Sequence, residues 1–154
     1  MKRAILVVMS FGLFLGSYAF AVAVEDRWVF FGKSSAGSCF YDKDTVSRVW
    51  QDVVKVWDKL IYSEKGKAGF IKTIKDTPEY SGNEQKYARL SEKRTLWEIN
   101  CKTKESYQLF INLYDNSETV IASTPILSKT RMPITPGSSL EVLSKAVCPN
   151  AKKR

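Results

Sequence analysis

Between residues 53 and 62 apolar and polar side chains alternate. Val54, Val56, Leu60 and Tyr62 fall on one side, broken by Asp58, and Lys55, Trp57 and Lys59 fall on the other. A period of two held over this length predicts a strand with two unlike faces. The alternation returns in Thr95 to Lys102, where Trp97, Ile99 and Cys101 share a face. It returns again in Glu105 to Tyr114, where Tyr107, Leu109, Ile111 and Leu113 do. Shorter aromatic and β-branched runs at Arg27 to Gly32, Ser38 to Tyr41 and Thr119 to Thr124 predict three more strands, the first two joined as a hairpin. In the polar turn that follows, Asp42 is placed to accept hydrogen bonds from the backbone amides ahead of it.

The period changes to a helical one near the C-terminus. Leu140, Leu143 and Val147 form a stripe, with Ala146 beside them, and Glu141 and Lys145 point away as an i,i+4 pair. Ser138 and Glu141 have the spacing of a capping box, and Pro149 after Cys148 stops the helix. A helix this short is marginal alone, so its stripe must rest on the sheet. Six strands followed by one helix predict an α+β fold with a six-stranded, mostly antiparallel sheet. Residues 63–94 show no stable period and carry glycines and a proline among many lysines, which reads as a long, basic, solvated loop.

The three cysteines are Cys39, Cys101 and Cys148. Pairing Cys101 with Cys148 agrees with both patterns. It lays the helix stripe over Trp97, Ile99, Leu109 and Ile111, and tethers the helix to one face of the sheet. On the loop-entropy model such a bond is worth up to about 4 kcal/mol. Cys39 is then a buried free thiol or an intermolecular link. The opposite face carries Trp57, Phe110 and Tyr114, interleaved with Lys55 and Lys59 and with Gln108 and Asn112, as association surfaces do. The competing expectation is that 63–94 or the N-terminal strand folds over these rings. A second candidate surface is the basic loop with Lys65, Lys67, Lys72, Lys75, Lys86 and Arg89.

Composition narrows the function. Met1, Lys2 and Arg3 followed by an apolar run and small residues at A-x-A spacing predict a bacterial signal peptide over 1–23. Residues 24–154 then form one domain. No cysteine lies near the cleavage region, so a lipid anchor is not indicated. The full chain has 24 Lys+Arg, 16 Asp+Glu and no histidine, a formal +8, which falls to +6 when Lys2 and Arg3 leave with the leader. A basic exported protein meets acidic glycans and proteins rather than nucleic acid. Without histidine the usual general base and the commonest metal ligand are missing. Cys39 has no activating partner in sequence, and Ser38, Ser138 and Ser139 lack nucleophile spacing. The expectation is a non-enzymatic chain without cofactor or metal.

Several pieces together resemble a known family. They are Trp28 to Gly32 with Phe40 to Asp42, the strand DVVKVWDKLIY, the run KYARLSEKRTLWEINC ending at Cys101, and T-P-G-S-S-L-x(6)-V-C from Thr135 to Cys148. In that order they are similar to the surface-adhesin protein E family of bacteria. The resemblance implies a six-stranded antiparallel sheet, a C-terminal helix bonded through Cys101 and Cys148, and a tendency to form homodimers. It also implies a surface adhesin that binds extracellular-matrix and serum proteins such as laminin, vitronectin and plasminogen. The alternative expectation is a periplasmic inhibitor or accessory protein acting on another bacterial protein. Both place the chain outside the cytoplasm, in the periplasm, on the outer surface or in the medium, with the membrane involved only in export.

Overall fold

The computed structural model describes residues 27–77, 84–126 and 130–149, with the backbone of Lys152 and Lys153. The leader expected at 1–23 and the stretch 78–83 lie outside the described residues. Each of the six predicted strands is present: β1 (Trp28–Lys33), β2 (Gly37–Asp42), β4 (Val53–Tyr62), β5 (Leu90–Asn100), β6 (Glu105–Asp115) and β7 (Val120–Pro125). They lie side by side in that order, antiparallel throughout. Three short strands bring the sheet to nine rather than six. β3 (Ser47–Trp50) folds back on β4, β8 (Met132–Pro133) joins β6, and β9 (Lys152–Lys153) runs parallel to β3. Runs of two to four residues are too short to show a period, which is why the pattern missed them.

The C-terminal helix α3 (Ser139–Val147) forms as its caps dictate. Ser138 Oγ accepts from the Glu141 N–H at 3.2 Å, and Glu141 reaches back to the Gly137 N–H at 2.9 Å. Cys148 is bonded to Cys101, with Cα atoms 5.8 Å apart. Leu143 and Val147 are fully buried against Val54, Val56 and Ile99, with Val46 and Ile134 closing the sides. Each such side chain contributes about 1.5–3 kcal/mol.

Leu109 and Ile111 do not lie under α3 as expected. The β5–β6 register runs Leu96↔Phe110 and then Trp97↔Gln108, so Leu109 is the extra residue of a β-bulge. The bulge reverses the facing of everything before it on β6. Buried Ser106 takes the place beside Ile99, and Tyr107 moves to the other face opposite Glu98. Ile111 packs instead in a second cluster with Ile74, Tyr87, Leu90 and Leu113.

That second cluster corrects the reading of 63–94 as a solvated loop. Glu64–Asp76 is a helix, α1, followed by the short α2 (Glu84–Tyr87) and the start of β5. Ser63 caps α1 by accepting from the Gly66 N–H at 3.0 Å, and Phe70, Ile71 and Ile74 form its apolar stripe. The helix was hidden because two glycines interrupt it and its apolar stripe is confined to Phe70, Ile71 and Ile74. Gly66 has a steric reason to be glycine. A Cβ there would stand 1.9 Å from the Ala36 carbonyl oxygen in the β1–β2 turn. Both α1 and α3 therefore cover the same face of the sheet, at opposite ends of it. No helix among the described residues is long and apolar enough to cross a membrane.

Between the two helices that face carries a polar group. Asp58 Oδ1, Thr95 Oγ1 and Trp97 Nε1 are buried without a hydrogen bond of good geometry. Burial pushes the Asp58 carboxyl up to about 6; Trp97, Lys93 and Thr95 moderate the shift without offsetting desolvation.

Two predictions follow from this packing. Gly66→Ala is expected to lower the urea midpoint, because backbone must move to admit the methyl group. Gly69→Ala, with open space around its Cβ, is expected to raise stability by up to about 1 kcal/mol. A loss of stability in Gly69→Ala equal to that in Gly66→Ala would contradict the docking described. For Asp58 the folded pKa lies above the unfolded one, so the native state holds the extra proton and stability falls as pH rises from about 4 to about 6. Asp58→Asn removes that loss. Urea titrations at pH 4 and pH 8 should show the variant gaining at most about 3 kcal/mol more over wild type at the higher pH. Equal differences at the two pH values would show that Asp58 ionises freely.

Candidate binding face

The uncovered face is built by cross-strand register. Phe40, Lys59, Arg94, Asn112 and Ser123 form one row across β2, β4, β5, β6 and β7. Trp57, Leu96 and Phe110 form the next, and Lys55, Glu98 and Tyr107 the one beyond. On the other side of the first row stand Ile61, Glu92 and Tyr114. Trp28 and the buried Asp42 face each other across the β1–β2 hairpin. The rings touch edge to face, Trp57 on Phe110 at 6.3 Å and Phe30 on Phe40 at 5.5 Å between centroids. Such pairs add about 0.5–1.5 kcal/mol beyond the area they bury.

Cations are laid over these rings. Lys59 Nζ is 4.3 Å from the Trp28 ring centre, and Arg94 stacks 4.2 Å from Tyr114 and 5.6 Å from Trp28. Arg27 approaches Trp28 at 5.8 Å. Each is also held by an acid. Arg27 Nε donates to Asp42 at 2.6 Å, and Asp42 in turn accepts from the Asp44 N–H at 3.0 Å, as its place in the turn predicts. Glu92 lies 2.5 Å from Arg94 and 4.0 Å from Lys59, and Glu118 in the β6–β7 turn is 3.7 Å from Arg94. A cavity of about 430 Å³ opens between Trp28, Phe40, Lys59, Arg94 and Glu118. A smaller one of about 170 Å³ lies between Trp57, Asn112 and Tyr114 and shares Arg27, Trp28 and Arg94 with it.

All five residues predicted for this face, Lys55, Trp57, Lys59, Phe110 and Tyr114, stand on it. Among the described residues neither competing cover is there: α1 packs on the opposite face, and the N-terminal strand contributes Trp28 to the surface. Trp28, Phe40, Asp42, Arg27 and Arg94 were missed. The signal for four of them was available in the alternation of Trp28 with Phe30 and of Phe40 with Asp42, and in Arg94 sitting two residues from Leu96. The basic set, in contrast, is not one loop. Lys65, Lys67, Lys72 and Lys75 ride on α1, Lys86 sits in α2, and Arg89 pairs at 3.5 Å with the buried Asp115. Lys72 is engaged with Asp76 at 3.0 Å.

For chemistry the arrangement favours binding. Among the described residues no group of three or more His, Cys, Asp or Glu side chains is placed to hold a metal. Cys39 is buried and outside the disulfide, and burial pushes its thiol pKa up, away from an activated nucleophile.

Comparison with known proteins agrees with the architecture. Two solved structures of Haemophilus influenzae protein E share the fold. Crystal form II aligns with a TM-score of 0.52 at 14% identity over 82% of this chain and 91% of that one. The selenomethionine form aligns with a TM-score of 0.52 at 12% identity, over 83% and 90%. No curated protein matches the sequence. The model of the surface-adhesin protein E family matches residues 28–149, from the tryptophan that collects the cations to the proline that ends the tethered helix, and the chain belongs to that family.

Proposed function

We propose that the chain is an exported, non-enzymatic binding module that docks another protein on the sheet face opposite its two helices. The observation that carries this is a face presenting Trp28, Phe40, Trp57, Phe110 and Tyr114 with no helix over it among the described residues. Half-buried aromatics set among arginine and lysine are the side chains that dominate protein interfaces. Membership of the adhesin family supports a partner outside the cell, and matrix or serum proteins such as laminin, vitronectin and plasminogen are the first to try. The same surface would serve a second copy of the chain, giving a homodimer. The lysines of α1 face away from it and are assigned no part.

The test is a solid-phase assay of the mature chain against immobilised matrix and serum proteins at low and high salt. Saturable binding is expected. Trp57→Glu is expected to weaken it at least tenfold, or to dissolve a dimer seen by sedimentation, while the folded circular-dichroism spectrum is kept. Binding and dimerisation both untouched in Trp57→Glu would remove this face from the proposal. Protease accessibility on intact cells separates the adhesin from a periplasmic inhibitor or accessory protein: only a surface protein is digested before the outer membrane is permeabilised.

A further inference from the structure

α1 is held to the sheet at two places. Its C-terminal half is seated by Phe70 and Ile74 against Tyr62, Tyr87 and Leu90. Its N-terminal end is pinned by Gly66 against the β1–β2 turn. On the flank of the helix between these supports stands Gly69, exposed, and a Cβ built there meets nothing within 4 Å. Beside it runs a crevice of about 470 Å³, lined by Leu60, Tyr62 and Lys93 from the sheet and by Lys65, Gly69 and Phe70 from the helix. That volume is within the roughly 300–1,000 Å³ of small-molecule sites.

The lining combines apolar side chains with two lysines. Leu60, Tyr62 and Phe70 supply the apolar wall, with the Tyr62 and Phe70 rings 5.8 Å apart. Burial pushes the Tyr62 phenol up to about 12, so it stays neutral. Among the described residues neither Lys65 nor Lys93 forms an ion pair, whereas most lysines and arginines on the opposite face are engaged. Lys93 is near enough to Asp58 to lower that carboxyl's pKa without forming a salt bridge with it. Two lysine charges beside an apolar wall match a molecule with one anionic head and a short apolar body.

We propose that this crevice is a binding site for a single-chain anionic amphiphile, its acyl or aryl body against Leu60, Tyr62 and Phe70 and its carboxylate between Lys65 and Lys93. The site is on the helix-bearing face. Its fate is independent of the protein-docking surface on the other.

The probe is decanoate, titrated below its micelle concentration at pH 7.5 by calorimetry, beside the uncharged decanamide. Saturable one-to-one binding of decanoate is expected, with the amide at least fivefold weaker. Gly69→Leu fills the crevice with a side chain that has room to stand there. It also removes a glycine from a helix interior, so it should bind decanoate at least tenfold more weakly with a Tm no lower than wild type. Lys65→Ala/Lys93→Ala should lose the preference for decanoate over the amide. Chemical-shift mapping on the wild-type chain gives a readout free of any folding defect, and the shifts should centre on residues 60–73 and Lys93. No saturation, undiminished binding in Gly69→Leu, shifts centred elsewhere, or retention only by anionic phospholipid vesicles would each overturn the assignment.

Discussion

The bond between Cys101 and Cys148 decides which side of the sheet is dry. Cys101 lies just past the end of β5, on the side shared by Trp97 and Ile99, and Cys148 is the C-cap of the helix. Tying them together holds a nine-residue helix, too short to persist alone, over Val54, Val56 and Ile99. Once that face is committed to burial, the alternation of each strand commits the other face to solvent or to a partner. The second helix obeys the same division. α1 brings Phe70 and Ile74 to the same side, because that is where Leu90 and Leu113 already stand.

The parts legible in the sequence were those with a long, unbroken period. β4 shows its two faces over ten residues, and α3 carries its caps, its stripe and its stop. What stayed hidden has local physical causes. A bulge at Leu109 turns β6 over, and a bulge adds a residue without leaving a mark in composition, so Tyr107 and Leu109 were assigned to the wrong environment. α1 carries glycines at 66 and 69, and its apolar stripe is confined to Phe70, Ile71 and Ile74, too short a run to show a period. Gly66 is there because the Ala36 carbonyl comes too close for anything larger. The binding face was found at its centre and lost at its edge. The first hairpin alternates, but only its register with Lys59 says which of its two sides joins the Trp57 face.

Charge was the poorest guide. The lysine-rich segment suggested a basic surface, yet those lysines are spread over two helices on the covered side of the sheet. The cations that group together, Arg27, Lys59 and Arg94, come from three separate segments and are joined only by strand pairing. Net charge bounds the partners a chain attracts at long range. It does not say where short-range contacts form.

The grouping around Trp28 bears on how tightly that face can bind. Free arginine and lysine side chains lose about 0.5–1.5 kcal/mol each when an interface immobilises them. Here Arg94 is already fixed between Glu92 and the Tyr114 ring, and Lys59 between Glu92 and Trp28. Most of that ordering cost is therefore met on folding. The same contacts limit electrostatic attraction, because Asp42 and Glu92 already neutralise much of the charge. A partner seated on this face would gain chiefly by covering Trp28, Trp57 and Phe110, and its affinity would depend only weakly on salt. Strong salt dependence would point instead to the exposed lysines of α1, on the other side of the sheet.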